Sequence, residues 1–311
     1  MRQLASAFLV LAILILFAGP AHAQAGHTRD LPSTPPTLPS ADREGRVAHS
    51  GAQIWFAVFG GPAAEDRPPV ILLHGGEASS DIWGFQVPAL LADHRQVIAI
   101  DSRGHGRSSW DGRIGYELMA SDVIAVMDAE HIERADVVGW SDGAIVSLIL
   151  AMQHPDRVRR IFAFGANTDV MGGLDPLGAL APASRAATAL LRDEYARDTG
   201  SAAGFDALVR GVTRMQLTQP NYLADKLAAI RGPDVAIADG DHDEIIRHRH
   251  TEYLARTIPG AQLIWLKGEG HFAPLQAPDA FNAAMLGFLD HEDGGADAPG
   301  AGDQPDPPAA R

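Results

Sequence analysis

Short apolar runs alternate with helical patterns through most of this chain, and that alternation limits the folds that it can adopt. The runs that have the character of buried strands are Pro69–Leu73, Gln96–Ile100, Ala135–Gly139, Val158–Phe164, Val235–Ala238 and Ala261–Leu266. The main helical patterns are Asp81–Asp93, Tyr116–Ile132, Asp142–His154, about Glu244–Ile258 and Asp279–Asp290. Apolar strands alternating with helices are typical of parallel sheets that helices cover on both faces. We therefore predict an α/β fold with a mostly parallel central sheet.

The interval from 168 to 232 interrupts this alternation, because it contains no convincing strand pattern. Its helical stretches are Ser184–Asp198, Phe205–Leu217 and Asn221–Ile230. We predict a helical insertion over the sheet. Two interpretations are open here: the insertion shapes a substrate pocket as a cap, or it is helical padding.

Residues 1–23 have the pattern of a secretory signal peptide. A basic start at Met1–Gln3 precedes an apolar run at Leu4–Gly19, and Ala21-His22-Ala23 offers small residues where a signal peptidase cleaves. We predict cleavage after Ala23, export to the periplasm or the medium, and no stable membrane association afterwards. The alternative is an uncleaved membrane anchor, for which the apolar run is rather short.

The composition of the remaining chain divides it into three parts. Residues 24–44 are rich in proline, so we predict a linker. Residues 45–291 carry the strand and helix patterns of the α/β domain, with the helical cap at about 168–232. Residues 292–311 are rich in Gly, Pro and Asp, and we expect a disordered acidic tail.

Charge and cysteine content exclude several kinds of partner and chemistry. The chain has 311 residues, with 25 Lys and Arg against 39 Asp and Glu, a net charge of −14. This balance repels nucleic acid and anionic membranes, so we expect neither as a partner. The absence of cysteine excludes thiol nucleophiles, disulfides and thiolate metal sites. Nothing in the sequence indicates the oligomeric state.

A single serine stands between two glycines where a predicted strand meets a predicted helix. Gly139-Trp140-Ser141-Asp142-Gly143 fits the pattern G-x-S-x-G. A strand turns this sharply into a helix when the serine adopts a strained backbone and the glycines keep Cβ atoms out of the turn. The turn would raise the Ser141 hydroxyl above the carboxyl edge of the sheet, where open α/β sheets bind ligands. We predict that Ser141 is a nucleophile.

A serine nucleophile needs a histidine base and a carboxylate that orients the histidine. With this pattern the chain order is serine, acid, histidine. His271 follows the last predicted strand and Asp243 follows the strand before it, so we assign them as base and acid. Asp241 and Asp169 are the alternative acids, and we expect Asp241 to brace its loop instead.

The other histidines do not predict a metal site. His248 and His250 lie two positions apart on a helix and face different directions, so they cannot join His242 around one metal. We expect these three side chains to be solvated and His105 to be structural. No metal and no organic cofactor is predicted.

Attack by a serine also requires two donors for the oxyanion that develops. One is the amide of Asp142, the residue after the nucleophile. The other is expected from HGGE at 74–77, where glycine lets the backbone approach a substrate. We choose the amide of Gly76, with Glu77 as the alternative.

These motifs occur together in the order found in the α/β-hydrolase superfamily, which the chain resembles. They are HGG at 74–76, DSRGHGRS at 101–108, GWSDG at 139–143, GDHD at 240–243 and EGH at 269–271. The resemblance covers most of residues 50–290 and implies the α/β-hydrolase fold with a cap domain. GWSDG with FGAN at 164–167 looks like the branch of valacyclovir hydrolase and the enol-lactonases.

The resemblance implies a serine hydrolase that cleaves a small carboxylic ester or lactone. In the valacyclovir hydrolase branch the Asp after the nucleophile reads a substrate ammonium group, and Asp142 stands at that position. A helix cap is the other interpretation of Asp142. Asp142 and its neighbour Trp140 are the predicted substrate contacts. An acyltransferase, a cofactor-free perhydrolase and a non-catalytic ligand-binding protein are the alternative functions.

Overall fold

The structure is a computed structural model that describes residues 30–64, 67–175 and 177–291. The predicted signal peptide at 1–23 and the predicted tail at 292–311 lie outside these residues. No helix among the described residues is long and apolar enough to cross a membrane.

A single sheet contains the eight strands of the described chain. The strands are β1 (Arg43–His49), β2 (Ala52–Phe59), β3 (Val70–Leu73), β4 (Val97–Ile100), β5 (Ala135–Trp140), β6 (Val158–Phe164), β7 (Asp234–Gly240) and β8 (Gln262–Leu266). Their order across the sheet is β1-β2-β4-β3-β5-β6-β7-β8. β2 pairs antiparallel with both β1 and β4, and the other neighbouring strands are parallel.

The α-helices of the described chain lie between and after the strands. They are α1 (Gln86–Ala92), α2 (Tyr116–Ala129), α3 (Asp142–Gln153), α4 (Val170–Gly173), α5 (Pro182–Thr199), α6 (Phe205–Thr218), α7 (Ala224–Ala228), α8 (His248–Thr257), α9 (Ala273–Gln276) and α10 (Pro278–Leu289). Short 3₁₀ helices occupy Ser80–Phe85, Gly178–Leu180 and Ala202–Gly204.

Alternate residues of the central strands enter two separate apolar layers. In β3, Ile71 and Leu73 pack with residues of α2, α3 and α8, whereas Val70 and Leu72 pack with residues of α1 and α10. All four side chains are buried, and each contributes roughly 1.5–3 kcal/mol through removal of apolar surface from water. Burial on both faces explains why this strand contains no polar residue. The predicted parallel sheet with helices on both faces is confirmed.

The strand order reverses direction beside β3. From β3 the chain moves outward to β4, then returns past β3 to β5 and continues toward β8. The loops after β3 and β5 therefore leave the sheet side by side and diverge, which opens a crevice at the carboxyl edge. The two segments predicted to carry the oxyanion donors and the nucleophile are these loops.

The described residues between β6 and β7 form helices α4 to α7 and contribute no strand to the sheet. Leu190 and Leu191 of α5 and Phe205 of α6 are buried in the same apolar layer as α1 and α10, so these helices are attached to the core. The predicted helix Asn221–Ile230 is shorter, since α7 begins at Ala224. The amide of Tyr222 donates instead to the carbonyl of Thr168, at 2.8 Å.

The segment before β1 is packed against the domain. Leu31 and Leu38 contact the apolar layer beside α1 and α10, and the Arg197 guanidinium of α5 donates to the carbonyl of Pro36 at 3.0 Å. β1 begins at Arg43, inside the predicted linker of residues 24–44. The described part of that segment therefore lies along the domain and the cap, a contact that its proline-rich composition did not indicate.

Candidate active site

Ser141 occupies a strained turn between β5 and α3. Its φ of 54° and ψ of −117° lie outside the regions that non-glycine residues ordinarily adopt. A Cβ on Gly143 would collide with the carbonyl of Leu73, and one on Gly139 would collide with the backbone of Gly143. The two glycines of the motif are thus required by close backbone packing around the serine.

The backbone at this turn leaves the amide of Asp142 without an acceptor at the start of α3. The carbonyl of Ser141 accepts the amides of Ala144 and Ile145, and its own amide donates to the carbonyl of Phe164 at 2.8 Å. The amide of Asp142 donates to no group in the described part of the chain. It is free to bind a ligand oxygen beside the serine.

His271 and Asp243 meet in the buried region at the ends of β7 and β8. The His271 Nδ1–H donates to Asp243 Oδ2 at 2.7 Å, and the two side chains are 2% and 0% exposed. Asp243 Oδ1 accepts the amides of Ile245 at 2.6 Å and Ile246 at 2.7 Å. These two bonds hold the chain in a turn, so α8 begins at His248 and not near the predicted start at 244.

The pKa values of the pair shift in opposite directions. Burial opposes ionisation of Asp243, but the neighbouring His271 holds the pKa of this carboxyl below its ordinary value. Burial alone would lower the pKa of His271, but the Asp243 carboxylate raises it above its ordinary value. The arrangement stabilises an imidazolium beside an ionised acid, as a base that receives a proton during reaction requires.

The imidazole lies against the chain that holds Ser141. A Cβ on Gly165, which follows the acceptor of the Ser141 amide, would be 2.9 Å from His271 Cε1. Among the described residues, the Ser141 hydroxyl and the His271 imidazole do not form a hydrogen bond with each other. Such catalytic hydrogen bonds often shorten only when substrate is present.

Trp140 contacts both the backbone and the ring of His271. Its indole Nε1–H donates to the His271 carbonyl at 2.9 Å, and the two rings lie 5.9 Å apart. The side chain is only 2% exposed. This placement makes Trp140 a support of the His271 backbone, and its predicted role as a substrate contact stays a prediction.

The loop after β3 lies directly on the turn that contains Ser141. His74 donates from Nδ1 to the carbonyl of Gly75 at 2.7 Å and accepts at Nε2 from the amide of Ser102 at 3.0 Å. A Cβ on Gly75 would be 3.2 Å from the Ser141 Cβ. The amide of Gly76 has no hydrogen-bond partner among the described residues, like that of Asp142.

The Asp142 side chain turns away from its own helix. Its carboxylate accepts the Tyr116 hydroxyl at 2.8 Å and the Gln216 Nε2 at 3.1 and 3.2 Å. Burial raises the pKa of Asp142, and these two donors act against that rise. The cap interpretation is not observed, since no amide of α3 donates to this carboxylate.

The sequence did not predict that Tyr116 and Gln216 contact the site, or that the carboxyl group of Glu77 has a raised pKa there. Gln216 comes from α6 of the cap, and no local pattern joins it to Asp142. Glu77 has a φ of 67°, and burial together with the Asp142 charge raises the pKa of its carboxyl to about 7. The sequence indicated that Glu77 lies near the site only through its position next to Gly76.

The alternative acids lie elsewhere. Asp241 Oδ1 accepts the amide of Gly268 at 2.6 Å and so braces its loop, and Asp169 Oδ1 accepts the amide of Met171 at 3.0 Å. Neither forms an ion pair with His271, whereas Asp243 does.

The predicted solvation of His250 is wrong. This side chain is buried and its Nε2 accepts the amide of Thr168 at 3.0 Å. Burial lowers its pKa to about 4. His248 is exposed and lies against Trp265, and His105 is buried against His74 with ring centroids 5.1 Å apart.

A sharp serine turn at the switch point of a doubly wound sheet is the architecture of α/β-fold hydrolases. Residues 68–204 match the family described as the alpha/beta hydrolase fold. The chain is 32% identical over 267 residues to the protein named carbamate hydrolase RutD from Caulobacter sp. (strain K31), a match that covers 77% of this chain and 96% of that protein. The chain belongs to the α/β hydrolase family, which confirms the resemblance seen in its motifs.

Two further comparisons agree with this assignment. The chain is 26% identical over 268 residues to serine hydrolase BPHL from Mus musculus, across 81% of this chain and 88% of that protein. Among solved structures, Est816, an N-acyl homoserine lactone degrading enzyme, is 28% identical with a TM-score of 0.63, across 78% of this chain and 99% of that chain.

Proposed function

We propose that this protein is a serine hydrolase that cleaves a small carboxylic ester or lactone through an acyl-enzyme on Ser141. The single observation that carries the proposal is the buried His271–Asp243 hydrogen bond of 2.7 Å at the same sheet edge as the strained Ser141. A buried acid–histidine pair beside a raised serine supports nucleophilic catalysis.

In the proposed acylation step, the Ser141 oxygen attacks the carbonyl carbon while His271 Nε2 accepts its proton. The ionised Asp243 stabilises the imidazolium that results. The tetrahedral intermediate then collapses, the carbon–oxygen bond to the leaving group breaks, and His271 returns the proton to that leaving oxygen. Water attacks the acyl-enzyme with His271 as base, which releases the acid and restores Ser141.

The amides of Gly76 and Asp142 are the proposed oxyanion donors. Both lack partners among the described residues, and their loops leave adjacent strands beside Ser141. Donors fixed by the fold stabilise developing charge without reorganising, and removal of one such donor typically costs about 10²–10³ in kcat.

The named relatives support carbonyl substrates of this kind. RutD is named for carbamates and Est816 for N-acyl homoserine lactones, and both names denote attack at a carbonyl carbon. We propose an ester or a lactone for this chain because Ser141 favours acyl transfer at such a carbon. The Asp142 carboxylate beside Gly76 is the proposed contact for a substrate group that donates hydrogen bonds.

We propose further that the protein is exported to the periplasm or the medium. The support is the basic, apolar and small-residue pattern of residues 1–23, which lie outside the described structure. Mass spectrometry of the protein recovered from the native compartment should give a chain that begins at Gln24. A chain that retains Met1 would contradict export with cleavage.

The central experiment is a panel of p-nitrophenyl esters and lactones tested on the mature protein. We expect hydrolysis of at least one class, with losses of about 10³-fold or more in both Ser141→Ala and His271→Ala because these residues act as a unit. A fluorophosphonate probe should label the protein and not Ser141→Ala. Full activity in Ser141→Ala would overturn the proposal.

The acyltransferase and perhydrolase alternatives are separated in the same assay. Adding an alcohol or hydrogen peroxide as acceptor would divert the acyl group from water if either alternative holds. We expect the free acid to remain the main product.

A further inference from the structure

A second carboxyl group lies directly behind Asp243. Asp239, near the end of β7, is fully buried and shares a hydrogen bond with the Asp243 carboxyl group. Its oxygens also accept the Gly240 amide at 2.9 Å and the Thr251 hydroxyl at 2.6 Å. No basic side chain forms an ion pair with Asp239 within the part of the chain that the structure describes.

Two carboxyl groups hydrogen-bond to each other only when one of them carries a proton. The oxygens of Asp243 already accept the His271 imidazole and two backbone amides, and these donors stabilise its ionised form. Burial and the neighbouring Asp243 charge raise the pKa of Asp239 well above its ordinary value. The donors to Asp243 and the burial of Asp239 thus favour a proton on Asp239, which would donate to Asp243.

We propose that Asp239 is a positioning residue that acts through Asp243 and extends the pair to Asp239–Asp243–His271. Its hydrogen bond fixes the orientation of the Asp243 carboxylate and withdraws part of the negative charge from it. The proposal rests on the proposed function, because it takes His271 as the base of the reaction.

The hydrogen bond from Asp239 limits how firmly His271 holds a proton. Asp243, Glu244 and Asp142 are the carboxyl groups that face the imidazole, and each raises its pKa. A general base must be free of its proton at the working pH. Asp243 is the strongest of these three. By weakening its effect, Asp239 lowers the pKa of His271 and keeps a larger fraction of the imidazole neutral.

The test compares Asp239→Asn with Asp239→Ala in the full chain and reads the protonation of His271 directly. NMR of protein with isotope-labelled histidine gives the midpoint pH, and His271→Ala assigns the signal by its loss. Asparagine keeps a neutral donor, so we expect a shift below about 0.3 pH unit. Alanine removes the donor, so we expect a rise of about one pH unit and a loss of about 10-fold in kcat.

Asp241→Asn is the matched control, because it changes a carboxyl group of the same loop that contacts Gly268 and leaves the His271 midpoint unchanged. A midpoint that falls by about one unit in Asp239→Asn would mean that the native Asp239 is ionised, and would overturn the proposal. An unchanged midpoint in Asp239→Ala would overturn it as well. If Asp239→Ala does not fold, the Asp239→Asn result decides alone, since a neutral and an ionised Asp239 predict different outcomes.

The NMR reading needs no substrate, so it is independent of the proposed reaction. Failure of the ester and lactone panel would therefore overturn the proposed function without changing the His271 midpoints. Failure of the midpoint prediction would overturn the role of Asp239 alone.

Discussion

The indole Nε1–H of Trp140 donates to the carbonyl of His271 at 2.9 Å, across 131 positions of the chain. One hydrogen bond thus joins the residue before the proposed nucleophile to the backbone of the proposed base. The bond and the contact between the two rings hold the imidazole on the serine turn.

Replacement of Trp140 by phenylalanine should lower kcat by about 10-fold, because the ring contact is kept and a buried hydrogen bond is lost. KM should change little if the side chain positions His271 and does not bind substrate. Steady-state kinetics on the best ester measure both constants. Trp265→Phe is the control, since Trp265 is on β8 and its ring lies against the exposed His248. A rise in KM without a fall in kcat would show a substrate contact instead.

Replacement of Asp243 by asparagine should reduce kcat by about 10⁴-fold, because an amide favours the wrong histidine tautomer and cannot stabilise the imidazolium. Asp241→Asn should keep activity within about 3-fold and weaken only the bond to the Gly268 amide. Comparable losses in the two variants would contradict the assignment of Asp243 over Asp241.

Replacement of Gly76 by alanine should lower kcat by about 10- to 100-fold through displacement of an oxyanion donor. The added Cβ would lie 2.5 Å from Asp142 Oδ2 and 2.8 Å from Gln216 Nε2, so the loop must shift. Gly61→Ala is the matched control, because nothing lies within 4 Å of a Cβ there. Wild-type kinetics in Gly76→Ala would exclude this loop from the oxyanion site.

An amino-acid ester should be hydrolysed about 10-fold faster than its N-acetyl form if Asp142 binds a substrate ammonium group. The ammonium would take the place of the Gln216 amide, which now donates to both Asp142 oxygens. Asp142→Asn should remove the preference, as measured by the ratio of kcat/KM values. Equal rates for the two esters in the wild type would eliminate this substrate contact.

The free energy of unfolding should fall as pH rises from about 4.5 to about 8. Burial raises the pKa of Glu194 from 4.5 to about 8, so the native state keeps a proton that the unfolded chain releases in this window. The stabilisation is complete below about pH 4.5 and is lost as pH passes the native value, by on the order of 5 kcal/mol.

Glu194→Gln should flatten this dependence, because glutamine keeps the acceptor for the Ser79 amide and does not titrate. Denaturant unfolding of both proteins across the same pH range measures the slopes. Glu252→Gln, on the exposed side of α8, should keep the wild-type slope. An unchanged slope in Glu194→Gln would show that other groups cause the effect.

Local patterns predicted the sheet and the serine turn well, because both depend on neighbouring residues. β6 occupies Val158–Phe164 as predicted, since its apolar residues are buried by the layers on either side. The strained turn at Ser141 follows from Gly139 and Gly143, whose missing Cβ atoms are a property of the sequence itself.

Contacts between distant elements were not predictable in the same way. Gln216 of α6 donates to Asp142, and the Thr168 amide donates to the buried His250. The Tyr222 amide donates to the Thr168 carbonyl, so α7 begins at Ala224 and not at the predicted Asn221. Each of these contacts depends on how the cap lies on the sheet, and hydrophobic periodicity does not carry that information.

The sequence by itself determined the class of fold, the order of its strands along the chain, the serine turn and the candidates for base and acid. Only the tertiary structure decided which carboxylates surround His271, that Trp140 supports that histidine, and that Asp239 stands behind Asp243. The reason is physical: backbone propensity and burial act between near neighbours, whereas pKa values and hydrogen-bond partners depend on distances that exist only after the chain has folded.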